Sequence, residues 1–118
     1  MTEAASPVRF PDVSVVVNTY NRAEQLAQCL AALRWQKYQG AFEVVVINGP
    51  SVDETDQILS TYEDLKVGRV AVANLSMSRN AGICLASGEV VAFIDDDAVP
   101  EPEWLARLVE PYADPMVG

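Results

Sequence analysis

The sequence has 118 residues, half of them apolar, with eight Lys and Arg against seventeen Asp and Glu, a formal charge of −9. That length fits one domain around one core, and the acidity excludes a nucleic-acid backbone or an anionic membrane as the main partner. There is no His, which removes imidazole acid–base catalysis, His metal ligands and Ser-His-Asp triads together. No apolar run reaches the ~20 residues that span a bilayer, so no transmembrane segment is expected. Cys29 and Cys84 lie in apolar helical patterns without metal-ligand spacing or a signal peptide, and read as reduced core residues of a cytoplasmic protein.

Residues 1–11 hold two prolines and no periodicity, and read as a flexible leader ahead of an α/β domain over 12–118. Val13 to Asn18 is the first strand, running into Thr19-Tyr20-Asn21-Arg22. Asn21 with Glu24 resembles a capping box that opens a helix, whose apolar stripe is Leu26, Leu30 and Leu33. After Gln39-Gly40, Phe42 to Ile47 is a second strand, nearly continuous in apolar residues as buried parallel strands are. It ends at Asn48-Gly49-Pro50-Ser51, where Ser51 and Glu54 suggest a second capping box for a helix with Ile58, Leu59, Tyr62 and Leu65 inside.

A weaker third strand is expected over Arg69 to Ala73, at the edge of the sheet. Asn74 to Asn80 then reads as a loop leading into a helix with Ala81, Ile83, Cys84 and Leu85, stopped by a glycine cap at Ser87-Gly88. The fourth strand, Val90 to Ile94, reads as buried on both faces in the middle of the sheet. A last helix opens at Pro100 or Pro102, carries Trp104, Leu105, Leu108 and Val109, and ends at Pro111. Four strand–helix pairs in succession predict a doubly wound, mainly parallel sheet of about four strands with helices on both faces. Right-handed crossovers then bring the four strand ends to one edge, where such folds bind ligands.

Asp95-Asp96-Asp97 follows the fourth strand directly. Three adjacent carboxylates repel one another unless a cation sits among them. Alternation along an extended chain puts Asp95 and Asp97 on one side, an oxygen-only donor set suited to Mg²⁺ or Mn²⁺. Ser76, Ser78 and Arg79, beside a helix start, add hydroxyls and a guanidinium suited to phosphate oxygens.

Val13 to Arg22, Val46 to Thr55, Ser78 to Ile83 and Phe93 to Pro100 together resemble the family 2 glycosyltransferases of the GT-A fold, in that family's order and spacing. The resemblance covers nearly everything from Val13 to Trp104 and implies the Rossmann-like half of the domain that binds a nucleotide-diphosphate sugar. It implies that Thr19, Tyr20 and Arg22 line the nucleoside pocket, that Arg79 approaches the diphosphate, and that Asn80 supports its loop. Asn48 stands near the place where many relatives carry an Asp that contacts the base, a departure that leaves the base open. Asp97 matches the direct ligand of Mn²⁺ or Mg²⁺ in the D-x-D region, and Asp95 or Asp96 the group that reaches the ribose or the metal.

The activity implied is transfer of the sugar to a hydroxyl of a carbohydrate or other acceptor, with inversion. The family's base lies well beyond its D-x-D, so the catalytic base is expected beyond Gly118 and none within these residues. The chain accordingly reads as a donor-binding part that transfers no sugar alone. Glu101, Glu103 and Glu110 read as solvated helix charges. Two other readings remain: a non-catalytic nucleotide-binding or dimerising module, and a phosphatase of the haloacid-dehalogenase type with Asp95 as nucleophile. The latter needs the motif on a first strand and further acids downstream. Apolar sheet surface left uncovered by a half-domain would favour homo-oligomers.

Overall fold

A computed structural model describes residues 10–113. Four strands, β1 (Val13–Thr19), β2 (Phe42–Asn48), β3 (Lys66–Arg69) and β4 (Val90–Asp95), form one parallel sheet in the order β3-β2-β1-β4. Between and after them lie α1 (Ala23–Arg34), α2 (Thr55–Ser60), α3 (Leu75–Leu85), α4 (Trp104–Leu108) and α5 (Glu110–Ala113). The doubly wound α/β architecture read from the strand–helix alternation is therefore present, with β3 at an edge.

Side-chain alternation divides β1 between two cores. Val13, Val15 and Val17 pack with Leu26, Leu30, Leu33, Leu59 and Leu105, so α1, α2 and α4 cover one face. Val16, with Val45 and Ile47 of β2, faces the other way, where α3 packs across β1, β2 and β3. In-register pairing aligns Thr19 with Asn48 and Asn18 with Asp95, so the polar ends of three strands finish level.

Several elements differ from the sequence expectation. β4 is the outer strand next to β1, not a central one, and Phe93 is 40 % exposed because α3 leaves that part of the sheet uncovered. β3 lies at 66–69 and not 69–73, since the stretch that pairs with Val45 to Asn48 begins at Lys66, whose ammonium holds Glu43 at 2.9 Å. α3 starts at Leu75, six residues before Ala81, because the Asn74 carboxamide caps it by accepting from the Met77 N–H at 3.0 Å. Neither expected capping box forms: Asp53 accepts from Ala23 N–H at 3.0 Å and from Thr55 N–H at 3.0 Å, serving α1 and α2 together.

α2 stops at Ser60, leaving Tyr62 and Leu65 to pack from the following turn, and Pro111 sits in the first turn of α5 where its missing N–H costs nothing. Gly88 is not a left-handed cap. A Cβ there would lie 2.6 Å from the Ser14 nitrogen, so the glycine permits close backbone approach. Most of the expected leader lies outside the described residues, while the Phe10 ring packs edge-on to Tyr38 at 6.3 Å. Gly118, beyond which the catalytic base is expected, lies outside the described residues as well.

Candidate functional site

The strand ends open into a cavity of about 480 Å³. β1 and its exit supply Asn18, Thr19, Tyr20 and Arg22, β4 supplies Phe93 and Asp95 to Asp97, and α3 supplies Ser78 and Arg79, with Gly49 and Asn74 completing the wall. Of the residues expected to bind, Thr19, Tyr20, Arg22, Arg79, Asp95, Asp96 and Asp97 meet here. Asn48 does not. It is buried, its carboxamide oxygen accepting from Ser51 Oγ at 2.6 Å and its nitrogen donating to Asp56 at 3.1 Å.

The sharp turn after β1 rests on Asn21, which takes a left-handed φ of 52°. Asn is among the few residues that tolerate this, and its carboxamide oxygen accepts from Val52 N–H at 2.7 Å. The turn delivers Arg22 to the acids: its guanidinium lies 3.4 Å from Asp97 and 3.7 Å from Asp96. Arg22, which the resemblance implies lines the nucleoside pocket, lines the cavity and also faces the acidic cluster.

The three carboxylates are not equivalent. Asp95 and Asp97 are exposed, while Asp96 is buried, as alternation predicts. Burial raises the Asp96 carboxyl above the ordinary aspartate value, with Asp97 and Asp95 adding to it. The Thr19 hydroxyl, nearby but short of a hydrogen bond, and Arg22 oppose the rise. Behind the cluster the Cys29 thiol is pushed up to about 11, by burial first and then by Asp96, Asp97 and Asp95. Arg79 lies over the Phe93 ring at 5.8 Å and, among the described residues, pairs with no carboxylate.

The donors are all oxygen, the chemistry that Mg²⁺ and Mn²⁺ require. Among the described residues no three acids close into a metal cage by themselves, so a cation here needs oxygens from its ligand as well. That division of ligands, one or two carboxylates plus phosphates, is the usual one for Mg²⁺. Asn18, Phe93 and Asn74 were not singled out from the sequence. The one signal for Asn18 is a polar residue following the Val15 to Val17 run of the first strand.

The family model described as glycosyl transferase family 2 matches residues 14–118. The chain belongs to glycosyltransferase family 2. It is 36 % identical over 106 residues to the glycosyltransferase AglE of Haloferax volcanii, covering 85 % of this chain and 35 % of that protein. It is also 36 % identical to the glucosyl-dolichyl phosphate glucuronosyltransferase of the same organism, over 85 % of this chain and 34 % of the relative. Family members are transferases, and this chain spans about a third of the length of those relatives.

Among solved structures, the mannosyltransferase PcManGT from Pyrobaculum calidifontis, in complex with GDP-Man and Mn²⁺, superposes with a TM-score of 0.79 at 33 % identity, over 98 % of this chain and 36 % of that one. S. aureus TarS 1–349 in complex with UDP superposes with a TM-score of 0.77 at 32 % identity, over 85 % and 31 %. The four-stranded α/β sheet is thus that of GT-A glycosyltransferases. No helix among the described residues is long and apolar enough to cross a membrane.

Proposed function

We propose that this chain is the donor-binding part of a glycosyltransferase, holding a nucleotide-diphosphate sugar through Mn²⁺ or Mg²⁺ for transfer to an acceptor hydroxyl with inversion. The observation that carries the reading is one cavity, at the carboxyl edge of a family 2 sheet, holding Asp95 to Asp97 with both Arg22 and Arg79. Solved neighbours bound to UDP and to GDP-Man with Mn²⁺ support the ligand class. The same reading puts the catalytic base beyond Gly118, so that these residues alone bind donor without transferring the sugar. Its setting is cytoplasmic, consistent with the unpaired Cys29 and Cys84.

Each residue has a task that follows from its chemistry. Asp97, with Asp95, would hold the cation, which when bound neutralises charge on the departing nucleotide diphosphate. Arg22 gives up Asp97 in exchange, at little cost, because a half-exposed ion pair at 3.4 Å contributes under ~1 kcal/mol. Arg79, carrying no carboxylate partner among the described residues, is available to the diphosphate. Thr19 and Tyr20 wall the nucleoside end, and Asp96, facing Arg22 at 3.7 Å, keeps the turn in place.

The test is affinity for UDP and GDP with Mn²⁺ and with EDTA, in the parent, Asp97→Asn and Glu103→Gln. Asp97→Asn keeps the shape and loses the charge, so metal-dependent binding weakens by about 2 kcal/mol. Glu103, on the last turn before α4 and outside the cavity, leaves affinity unchanged. Equal binding with and without metal, or an Asp97→Asn protein that binds as the parent does, would show that the cluster is only a solvated turn.

A further inference from the structure

Arg79 is the odd cation of this cavity. Among the described residues it makes no ion pair, although Asp95, Asp96 and Asp97 line the same cavity and the chain carries −9. Arg22, the other guanidinium there, lies 3.4 Å from Asp97 and 3.7 Å from Asp96. Arg79 has an aromatic ring instead: its guanidinium carbon stands 5.8 Å from the centroid of Phe93.

The backbone explains how the two meet. Ala92 and Ile94 pack with the core on the α1 side, so alternation along β4 sends Val91, Phe93 and Asp95 to the face on which α3 lies. α3 crosses β1 where Gly82 lies against Val16, and Val16 is in register with Phe93 on the next strand, roughly 5 Å away. Arg79, about one helical turn before Gly82, reaches over that neighbouring strand, while α3 itself leaves Phe93 40 % exposed. Asp95 is two residues farther along the same strand and on the same face, roughly 7 Å on.

Ring and carboxylate would leave the guanidinium in different states. A carboxylate neutralises its charge and takes up to two of its five N–H donors. A ring face attracts the cation through its quadrupole but offers no lone pairs, so charge and donors both stay open. A single exposed aromatic is ordinary on a protein surface and would carry nothing by itself. Phe93 differs in sitting under the unpaired cation of an acidic cavity, with an acid next along its own face of the strand.

Resting on the nucleotide-sugar reading above, we propose that Phe93 is a positioning residue, whose ring holds Arg79 off Asp95 and keeps the guanidinium open for a diphosphate. Asp95 in turn stays open for the cation. Without the ring, Arg79 has a carboxylate within reach of its long stem, and an ion pair there occupies the anion's partner and a metal ligand together.

The experiment titrates UDP and uridine, with Mn²⁺ present, into the parent, Phe93→Leu, Phe93→Tyr, Arg79→Gln and the double variant. Phe93→Leu keeps an apolar strand residue and loses the ring, so it should melt with the parent and weaken UDP binding by about fivefold, the size of one cation–π contact. Phe93→Tyr keeps the ring and should bind UDP as the parent does. Uridine has no phosphate and should bind the parent and Phe93→Leu alike. In the Arg79→Gln background the leucine should weaken UDP no further, because a residue acting through Arg79 then has nothing to act on.

Unchanged UDP affinity in Phe93→Leu, the same loss repeated in the double variant, or a Phe93→Tyr protein as weak as Phe93→Leu overturns the inference. So does a loss shared by uridine, or a Phe93→Leu protein that melts well below the parent, either of which would make Phe93 part of the framework or the nucleoside wall. All of these results leave the proposed function standing. Failure of the parent to bind UDP with Mn²⁺ overturns the proposed function and this inference with it.

Discussion

Glu43 lies at the amino-terminal edge of the sheet, opposite the cavity, and ties three segments together. Its carboxylate accepts from Ser14 Oγ at 2.6 Å and from the Ser87 N–H at 2.8 Å, and meets the Lys66 ammonium at 2.9 Å. Burial pushes its pKa up, but the bonds from Ser14, Lys66 and Ser87 outweigh that and hold it at about 2 instead of 4.5. A carboxylate depressed in the folded state stabilises it above the unfolded pKa and loses that contribution as the folded pKa is approached. Glu43→Gln is therefore expected to melt below the parent at pH 7, with the gap closing between pH 4.5 and 2. Melting curves across that range check it, and a gap of constant size would show that the charge is irrelevant.

At this same scale the sequence was uneven. Asp95 to Asp97, Arg79 and Thr19 stood out in the sequence because acids, guanidinium and hydroxyl at strand ends are chemically conspicuous, and they do line one cavity. Asn48 looked equally conspicuous, yet Ser51 and Asp56 hold its carboxamide inside, a tertiary outcome that residue type does not encode. Asp53, which caps two helices, was missed because one of its partners, Ala23, is 30 residues away.

Among the elements, the order of strands and helices and their parallel pairing were legible because each apolar strand run is followed by a helical stripe. The position of β4 was not. Periodicity reports that Val90 to Ile94 is apolar but not which strands flank it, so an edge strand with Phe93 exposed looked like a central one. Asn74 to Asn80 looked like a loop because Ser and Asn are common in loops, although one carboxamide cap suffices to start α3 at Leu75. α3 meets the sheet at Gly82, where a Cβ would stand 2.5 Å from Val16 Cγ1. Val16 is fully buried and β-branched, so it cannot turn aside. Gly82→Ala should then cost about 1–3 kcal/mol of overpacking, more than the gain of ~1 kcal/mol from better helix propensity. Because Arg79 rides on the same helix, nucleotide affinity should fall with stability. Urea unfolding and titration with UDP check the pair, and a variant more stable than the parent would show that α3 tolerates the extra methyl.

For the molecule as a whole, charge sets the terms on which a diphosphate approaches. The chain carries −9, and the cavity adds three carboxylates against Arg22 and Arg79, so local cations and global charge pull in opposite directions. Arg22 is already committed to Asp96 and Asp97, which leaves Arg79 to face two phosphates. Repulsion should therefore dominate when no metal is present, and salt should relieve it, since the screening length shortens from roughly 20 Å at about 0.02 M to under ~6 Å at about 0.3 M. A divalent ion cancels two charges on the incoming nucleotide, so the same change in salt should matter less with Mn²⁺ than with EDTA. UDP titrations at the two salt concentrations, in each condition, measure both slopes. Affinity in EDTA that rises with salt, and a flatter dependence in Mn²⁺, is the expected pair. Affinity in EDTA that falls with salt would mean that Arg22 and Arg79 outweigh the −9 of the domain, and that repulsion by the acids is no ground for the proposed metal requirement.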